Sequence, residues 1–256
     1  MSSYTYGDSA LASERLALLA ATFEPMSRLF IERSTGRHPK LAVDLGCGPG
    51  HTTAMLHQAT GATSTVGLDA SASYIEQASA SAMSGVTFTV HDVTTVPFPT
   101  APADVLYARL LLAHLPDPAG RVHDWATQLG TGGVALLDDL ESIETEDAGF
   151  RAYLDEVALD VVRRRGGALF VGPALHTMSD PPGTDRIHDE VAVLRPAPAV
   201  TARIFAMNLR VLVDTGESEP RPDLAAHLAA VAEGRRQAAP VEWPFRQVAL
   251  RKAPTG

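Results

Sequence analysis

From about residue 40 the chain alternates between two hydrophobic rhythms. Short, nearly continuous apolar runs at 40–45, 64–69, 86–91, 103–107 and 133–138 have the length of strands buried on both faces. Helical spacing fills the gaps, which predicts a mostly parallel sheet covered on both sides. Upstream, Leu16, Leu19 and Phe23 recur at helical spacing beside Ser13, Glu14 and Arg15, predicting an amphipathic helix that begins near Asp8 or Ser9. A second helix is expected from Pro25, burying Met26, Leu29 and Phe30. Asp117 followed by Pro118 supplies an N-cap and a first helical position. The helix they start presents Val122, Trp125, Ala126 and Leu129 on one face and ends at Gly130, with Trp125 read as core. Further on, Phe150, Tyr153, Leu154, Val157, Ala158 and Val161 predict one long helix over 146–165, stopped by Gly166-Gly167. A strand at 185–194, helices at 198–213 and 222–235 and a last strand at 243–252 complete the pattern. There is no internal repeat, and Ala/Pro-rich stretches are confined to about 195–200 and 238–240.

Composition narrows the function classes. With 45% hydrophobic and 20% charged residues, 256 residues can bury one substantial core and carry an appended substrate-binding region. The net charge of −9 argues against a nucleic-acid partner, which requires a basic face. The single Cys47 cannot form an internal disulfide, and its place among glycines suggests packing rather than nucleophilic chemistry, in keeping with a reducing cytoplasm. The start carries no signal-peptide pattern and no run approaches the roughly 18 apolar residues of a membrane span, so no membrane partner is expected. Nothing sets the oligomeric state, and a homodimer is compatible with base rates alone.

The chemistry concentrates at residues 41–53, Leu-Ala-Val-Asp-Leu-Gly-Cys-Gly-Pro-Gly-His-Thr-Thr, followed by Val66-Gly67-Leu68-Asp69. A strand running into three alternate glycines and then a helix brings backbone N–H groups close to a ligand. Asp69, 23 positions after Gly46, has the spacing of a strand-end carboxylate that accepts from ribose hydroxyls. Both point to a nucleoside-bearing cofactor. The dinucleotide fingerprint is broken, because His51 stands at its third glycine, and no P-loop is present.

Val43-Asp44-Leu45-Gly46-Cys47-Gly48-Pro49-Gly50 resembles the first motif of the class I S-adenosylmethionine-dependent methyltransferases. Three further segments match that family in order: Val90-His91-Asp92-Val93, then Ala103–Arg109 with Leu112–Pro118, then Gln128–Gly133 ahead of Val134–Leu137. The resemblance spans about residues 41–140. It implies a Rossmann-like, doubly wound α/β fold with a seven-stranded sheet of order 3-2-1-4-5-7-6, strand seven antiparallel. It also implies a helical lead-in at 1–38, a cofactor-binding core at 39–140, and a C-terminal part at 141–256 with strands six and seven and a helical lid. The cofactor implied is S-adenosylmethionine, with S-adenosylhomocysteine (SAH) as product. Asp44, Gly46, Cys47, Gly48, His51, Asp69, Ala70, Asp92, Val93, Ala108 and Arg109 are expected to border it. Tyr6, with Tyr4, is expected to close over it from the N-terminus.

Methyl transfer from a sulfonium needs an acceptor lone pair or π-bond in line, so positioning supplies most of the catalysis and no metal is required. An O–H acceptor or a C-methylation intermediate also needs a base. His114, close after strand four, and Glu141 and Glu144, just beyond strand five, are the candidates. Glu146 and Asp147 read better as a helix start. His176 is a weaker candidate in the lid. Arg163-Arg164-Arg165 is read as a basic helix C-terminus rather than an anion site. The expected function is methyl transfer to a C, N or O atom of a small molecule, a specialised metabolite above all. An RNA or protein methyltransferase is disfavoured by the acidic balance and by Tyr107-Ala108-Arg109-Leu110, where an Asn-Pro-Pro-Tyr-type segment would stand. A noncatalytic cofactor-binding regulator is the third reading, disfavoured because the cofactor motifs are undamaged.

Overall fold

A computed structural model describes residues 9–36, 38–100, 102–164 and 166–254. The expectation for Tyr4 and Tyr6 lies outside the described residues, as does Arg165. The chain opens with α1 (Ala10–Ser34), capped by the Ser9 side chain, which accepts from the Ala12 N–H. This is one helix where two were expected. Pro25 lies inside it on the exposed side, where its missing N–H costs a single intrahelical bond, while Phe23, Ser27, Phe30 and Ile31 keep the buried stripe unbroken.

The sheet then forms in the expected rhythm: β1 (Leu41–Leu45), α2 (His51–Thr60), β2 (Ser64–Asp69), α3 (Ala72–Ala80), β3 (Val86–Val90) and β4 (Ala103–Arg109). A 3₁₀ turn at Leu112–His114 and α4 (Pro118–Ala126) lead to β5 (Leu129–Leu140). Asp117 caps α4 as predicted, accepting from the Gly120 N–H at 3.1 Å. Gly130, where α4 was expected to end, is instead part of β5, entered through an irregularity in its pairing with β4, so Leu129 belongs to a strand and α4 stops at Ala126. Trp125 is core, its Nε1 donating to the Val93 carbonyl at 2.8 Å.

After the two-residue β6 (Glu144–Thr145), the predicted long helix starts at Ala148, capped by Asp147. It comprises α5 (Ala148–Tyr153), a π turn at Leu154–Ala158 and α6 (Leu159–Arg164). Then come α7 (Gly172–Thr177), β7 (Thr184–Leu194), α8 (Pro198–Asp214), α9 (Pro222–Ala232) and β8 (Val241–Lys252). The path β3-β2-β1-β4-β5-β8 continues to β7, which pairs with β8. Pairings among the first five strands are parallel, and β8 runs antiparallel to both β5 and β7. With β6 set aside as a stub on β8, this is the expected 3-2-1-4-5-7-6 order.

Three apolar clusters hold the layers. On one face Phe30 and Ile31 of α1 and Met55 and Leu56 of α2 meet Val105, Tyr107 and Leu136. On the other, Val122, Trp125, Val171 and Leu175 cover Val43, Leu45, Leu106 and Leu137. The third joins α5, α6, α8 and α9 to Phe23 and to Trp243 and Phe245 of β8, forming a helical layer beside the C-terminal ends of the parallel strands. Among the described residues no helix is long and apolar enough to cross a membrane.

Candidate active site

Where β1 ends, Gly46, Gly48 and Gly50 all take positive φ, at 66°, 52° and 90°. A Cβ on Gly46 would stand 2.6 Å from the tip of the Leu111 side chain, which follows β4. The Gly48 N–H donates to Asp69 Oδ2 at 2.9 Å and the Ser71 N–H to Oδ1 at 2.8 Å, so the ends of β1 and β2 are locked together through the one acid the sequence singled out. Burial raises the Asp69 pKa against those two bonds. Ala70 follows it, exposed.

Asp44 is buried below the loop, where Oδ2 accepts from Thr52 and Thr53 hydroxyls at 2.6 and 2.7 Å. Burial pushes its pKa up to about 6, a rise limited by the two hydroxyls and by the charge of Arg109. It braces the start of α2. His51 opens that helix, its basicity lowered by partial desolvation and then by Arg109. Cys47 is buried with its thiol pushed well up, chiefly by burial, which fits packing and not nucleophilic chemistry.

At the end of β3, Asp92 is exposed and folds its carboxylate onto the N–H and hydroxyl of Thr94 at 2.9 and 2.7 Å. Slight burial raises its pKa, but the Thr94 bonds outweigh that and hold it below the usual value. Val93 is buried and its carbonyl is taken by Trp125. Ala108 is buried within β4. Arg109 closes β4 with its guanidinium 6.0 Å from the Phe23 ring centroid and Nη1 donating to Ser27 Oγ at 3.3 Å.

The candidate bases part company. His114 lies in the 3₁₀ turn after β4, half-buried, its N–H donating to the carbonyl of Leu111, whose side chain lies against Gly46. Glu141 turns instead onto Arg246, its oxygens accepting at 2.9 and 3.1 Å. Arg246 also holds Asp189 at 2.9 Å, and Asp189 binds His176 and Arg186, so Glu141 and His176 belong to one ion-pair network joining α7, β7 and β8. Glu144 is exposed in β6, accepting from Ser142. Arg163 and Arg164 both pair with Asp160 on their own helix.

Two site residues escaped the sequence reading. Asp138 and Asp139 close β5 and point to opposite faces. Asp138, fully buried, accepts from Ser27 at 2.5 Å, Tyr107 at 3.1 Å and Gln247 at 3.2 Å. Burial raises its pKa against those bonds and the pull of Arg109. Asp139 accepts from the Leu112 N–H at 3.2 Å. The available signal was a pair of acids ending the apolar run Val134–Leu137.

A groove of about 620 Å³, lined by Asp155, Glu156, Leu159, Asp160, Arg163 and Gly167–Phe170, adjoins the turn. Gly167 packs so closely on the Ala113 carbonyl that a side chain has no room.

The comparisons meet this geometry at its centre. Residues 42–133 match the model of a methyltransferase domain. They form a class I S-adenosylmethionine-dependent methyltransferase domain. S-adenosylmethionine is the cofactor of such domains, and the glycine loop, Asp69 and Asp92 all fall within the matched residues. A trans-aconitate 2-methyltransferase from Rhizobium etli is 36% identical over 107 residues, spanning 41% of this chain and 41% of its own. The chain thus matches about two fifths of the length of that curated relative. Coclaurine N-methyltransferase bound to N-methylheliamine and SAH superposes with a TM-score of 0.55 at 14% identity, covering 90% of this chain and 72% of that one. The [4+2]-cyclase SpnF superposes at 0.53 with 16% identity, covering 91% and 81%, so the methyltransferase-domain fold also serves other chemistry.

Proposed function

We propose that this protein transfers a methyl group from S-adenosylmethionine to a small organic molecule. The observation that carries the reading is the lock between the Gly48 N–H and the Asp69 carboxylate, which sets an acid beside a tight glycine loop at the ends of two parallel strands. The positive φ at Gly46 disfavours a side chain there, and a loop of such glycines suits a ligand that needs close backbone approach. In this reading Asp69 accepts from the ribose hydroxyls and Asp92 from the adenine amino group. The glycine loop, Ala108 and Arg109 border the methionyl end, and residues 39–140 form the cofactor half. The bound cofactor supplies a methyl on a sulfonium, already activated for displacement.

The chain's own work is then to orient the acceptor, exclude water and take up a proton where one is released. His114 is the base the geometry favours, because Glu141 is engaged by Arg246. The acceptor side is assigned to residues 1–38 and 141–256, with the groove beside Gly167 of a size for a small molecule. The relatives' name points toward an organic acid, and a specialised metabolite in the cytoplasm is the setting proposed.

Calorimetric titration with S-adenosylmethionine, SAH and NADH tests the cofactor half. Asp69→Ala is expected to weaken S-adenosylmethionine and SAH at least tenfold, about 1.4 kcal/mol or more, with the fold retained. Preference for NADH, or equal affinity in the variant, would sink the assignment.

A further inference from the structure

The chain leaving β4 is strained beside the glycine loop. Leu110 holds φ at 54°, a region that suits glycine rather than leucine. Leu111 lies against Gly46, and the Leu112–His114 turn receives no side-chain cap from Leu111, its own N-cap residue. The open N–H groups at the start of that turn are met from another strand. Asp139 on β5 accepts from Leu112 at 3.2 Å, and the N–H groups of Leu140 on its own strand and of Leu111 also act on its carboxylate. The side chain is fully buried, and its Oδ1 has no partner among the described residues. As space filling this is poor, since a buried acid with an unbonded oxygen costs stability that leucine would not.

We propose that Asp139 is a positioning residue for the methyl-transfer site: acting from β5, it caps the Leu112–His114 turn and so fixes Leu111 on the glycine loop and His114 beside it. The inference rests on the methyltransferase reading only for what the turn is used for. The turn is gripped on its other side by Gly167 against the Ala113 carbonyl, so the capped end is where its geometry is set. Groups around the carboxyl are Asp138 beside it, Arg246 opposite on β8 and committed to Glu141 and Asp189, Glu141 itself, and His114 on the turn. Burial, opposed by the Leu112 N–H, pushes Asp139 up to about 7. The carboxylate is the stronger acceptor, so the cap tightens above neutral pH and slackens below it.

The test follows the Leu111 and Leu112 amides by ¹⁵N NMR from pH 5.5 to 8.5 in the full chain, with SAH affinity measured in parallel. In the wild type both amides should titrate with a midpoint near 7. The titration should disappear in Asp139→Asn and persist in His114→Gln, and any change of SAH affinity centred near pH 7 in the wild type should be lost in Asp139→Asn. Flat wild-type amides, a titration that survives Asp139→Asn or vanishes in His114→Gln, or an SAH affinity whose pH response is the same in a folded Asp139→Asn as in the wild type would each overturn the proposal. Absence of SAH binding by the wild type would strike the methyltransferase reading alone, because the amides report on the cap without any ligand.

Discussion

Ser27 carries more than its size suggests. It is buried on α1, donates to Asp138 Oδ2 at 2.5 Å and accepts from Arg109 at 3.3 Å, so one hydroxyl ties the lead-in helix to the ends of β4 and β5. Removing it leaves a buried carboxylate short of a donor, at about 1–3 kcal/mol. Ser27→Ala is therefore expected to lower the urea midpoint by that equivalent at unchanged slope, and an unaltered midpoint would mean that Tyr107 and Gln247 satisfy Asp138 by themselves. Legibility at this scale follows locality. The lock between Asp69 and the glycine loop was readable because a strand–loop–helix turn and the end of the next strand lie only 21 positions apart. Ser27 and Asp138 were not, because their meaning comes from a contact across 111 positions.

At the scale of elements, apolar periodicity located nearly every helix and strand, and its failures have physical causes. Pro25 was read as a start because proline opens helices; here the helix runs through it, since the apolar stripe on either side is bound to the sheet and to the helical layer of α5, α6, α8 and α9. As Pro25 is exposed, its cost falls on the helix backbone alone. Pro25→Ala should raise stability by about 1–3 kcal/mol, seen as a higher thermal midpoint. No gain would imply that the flanking residues already tolerate a bend that α1 needs for packing. The π turn at Leu154–Ala158 was invisible in a pattern that fits a plain helix, because one extra residue in a turn changes the phase of the stripe only slightly. Gly130 signalled a helix end, whereas pairing of Leu129 and Val134 with β4 drew the segment between them into a strand with an irregular register.

Over the whole molecule, burial sets the pH response. Asp44 is raised to about 6 and Asp139 to about 7 from an ordinary 3.8, and Asp69 and Asp138 are raised as well. Between the unfolded and folded pKa values the native state binds more protons than the unfolded chain, so stability falls as pH rises from about 4 to 7 and then levels. Each unit of separation is worth about 1.4 kcal/mol, and the growing net negative charge acts in the same direction. Asp92 and Asp189 are held low, by Thr94 in the first and by His176, Arg186 and Arg246 in the second, each against a burial effect that raises it; their contribution is lost as pH falls below about 4. The thermal midpoint should thus be higher at pH 5.5 than at pH 8, with the gap narrowed in Asp139→Asn. A midpoint that rises toward pH 8 would contradict the burial argument. The sequence by itself determined the alternation of strands and helices, the glycine loop and its partner acid, because these depend on period, turn chemistry and short spacing. Only the tertiary structure decided that Glu141 joins an ion-pair network, that α1 is continuous over the sheet, and that two adjacent aspartates serve opposite faces of β5. Those outcomes depend on which distant side chains burial brings within hydrogen-bonding reach, and no local pattern encodes that distance.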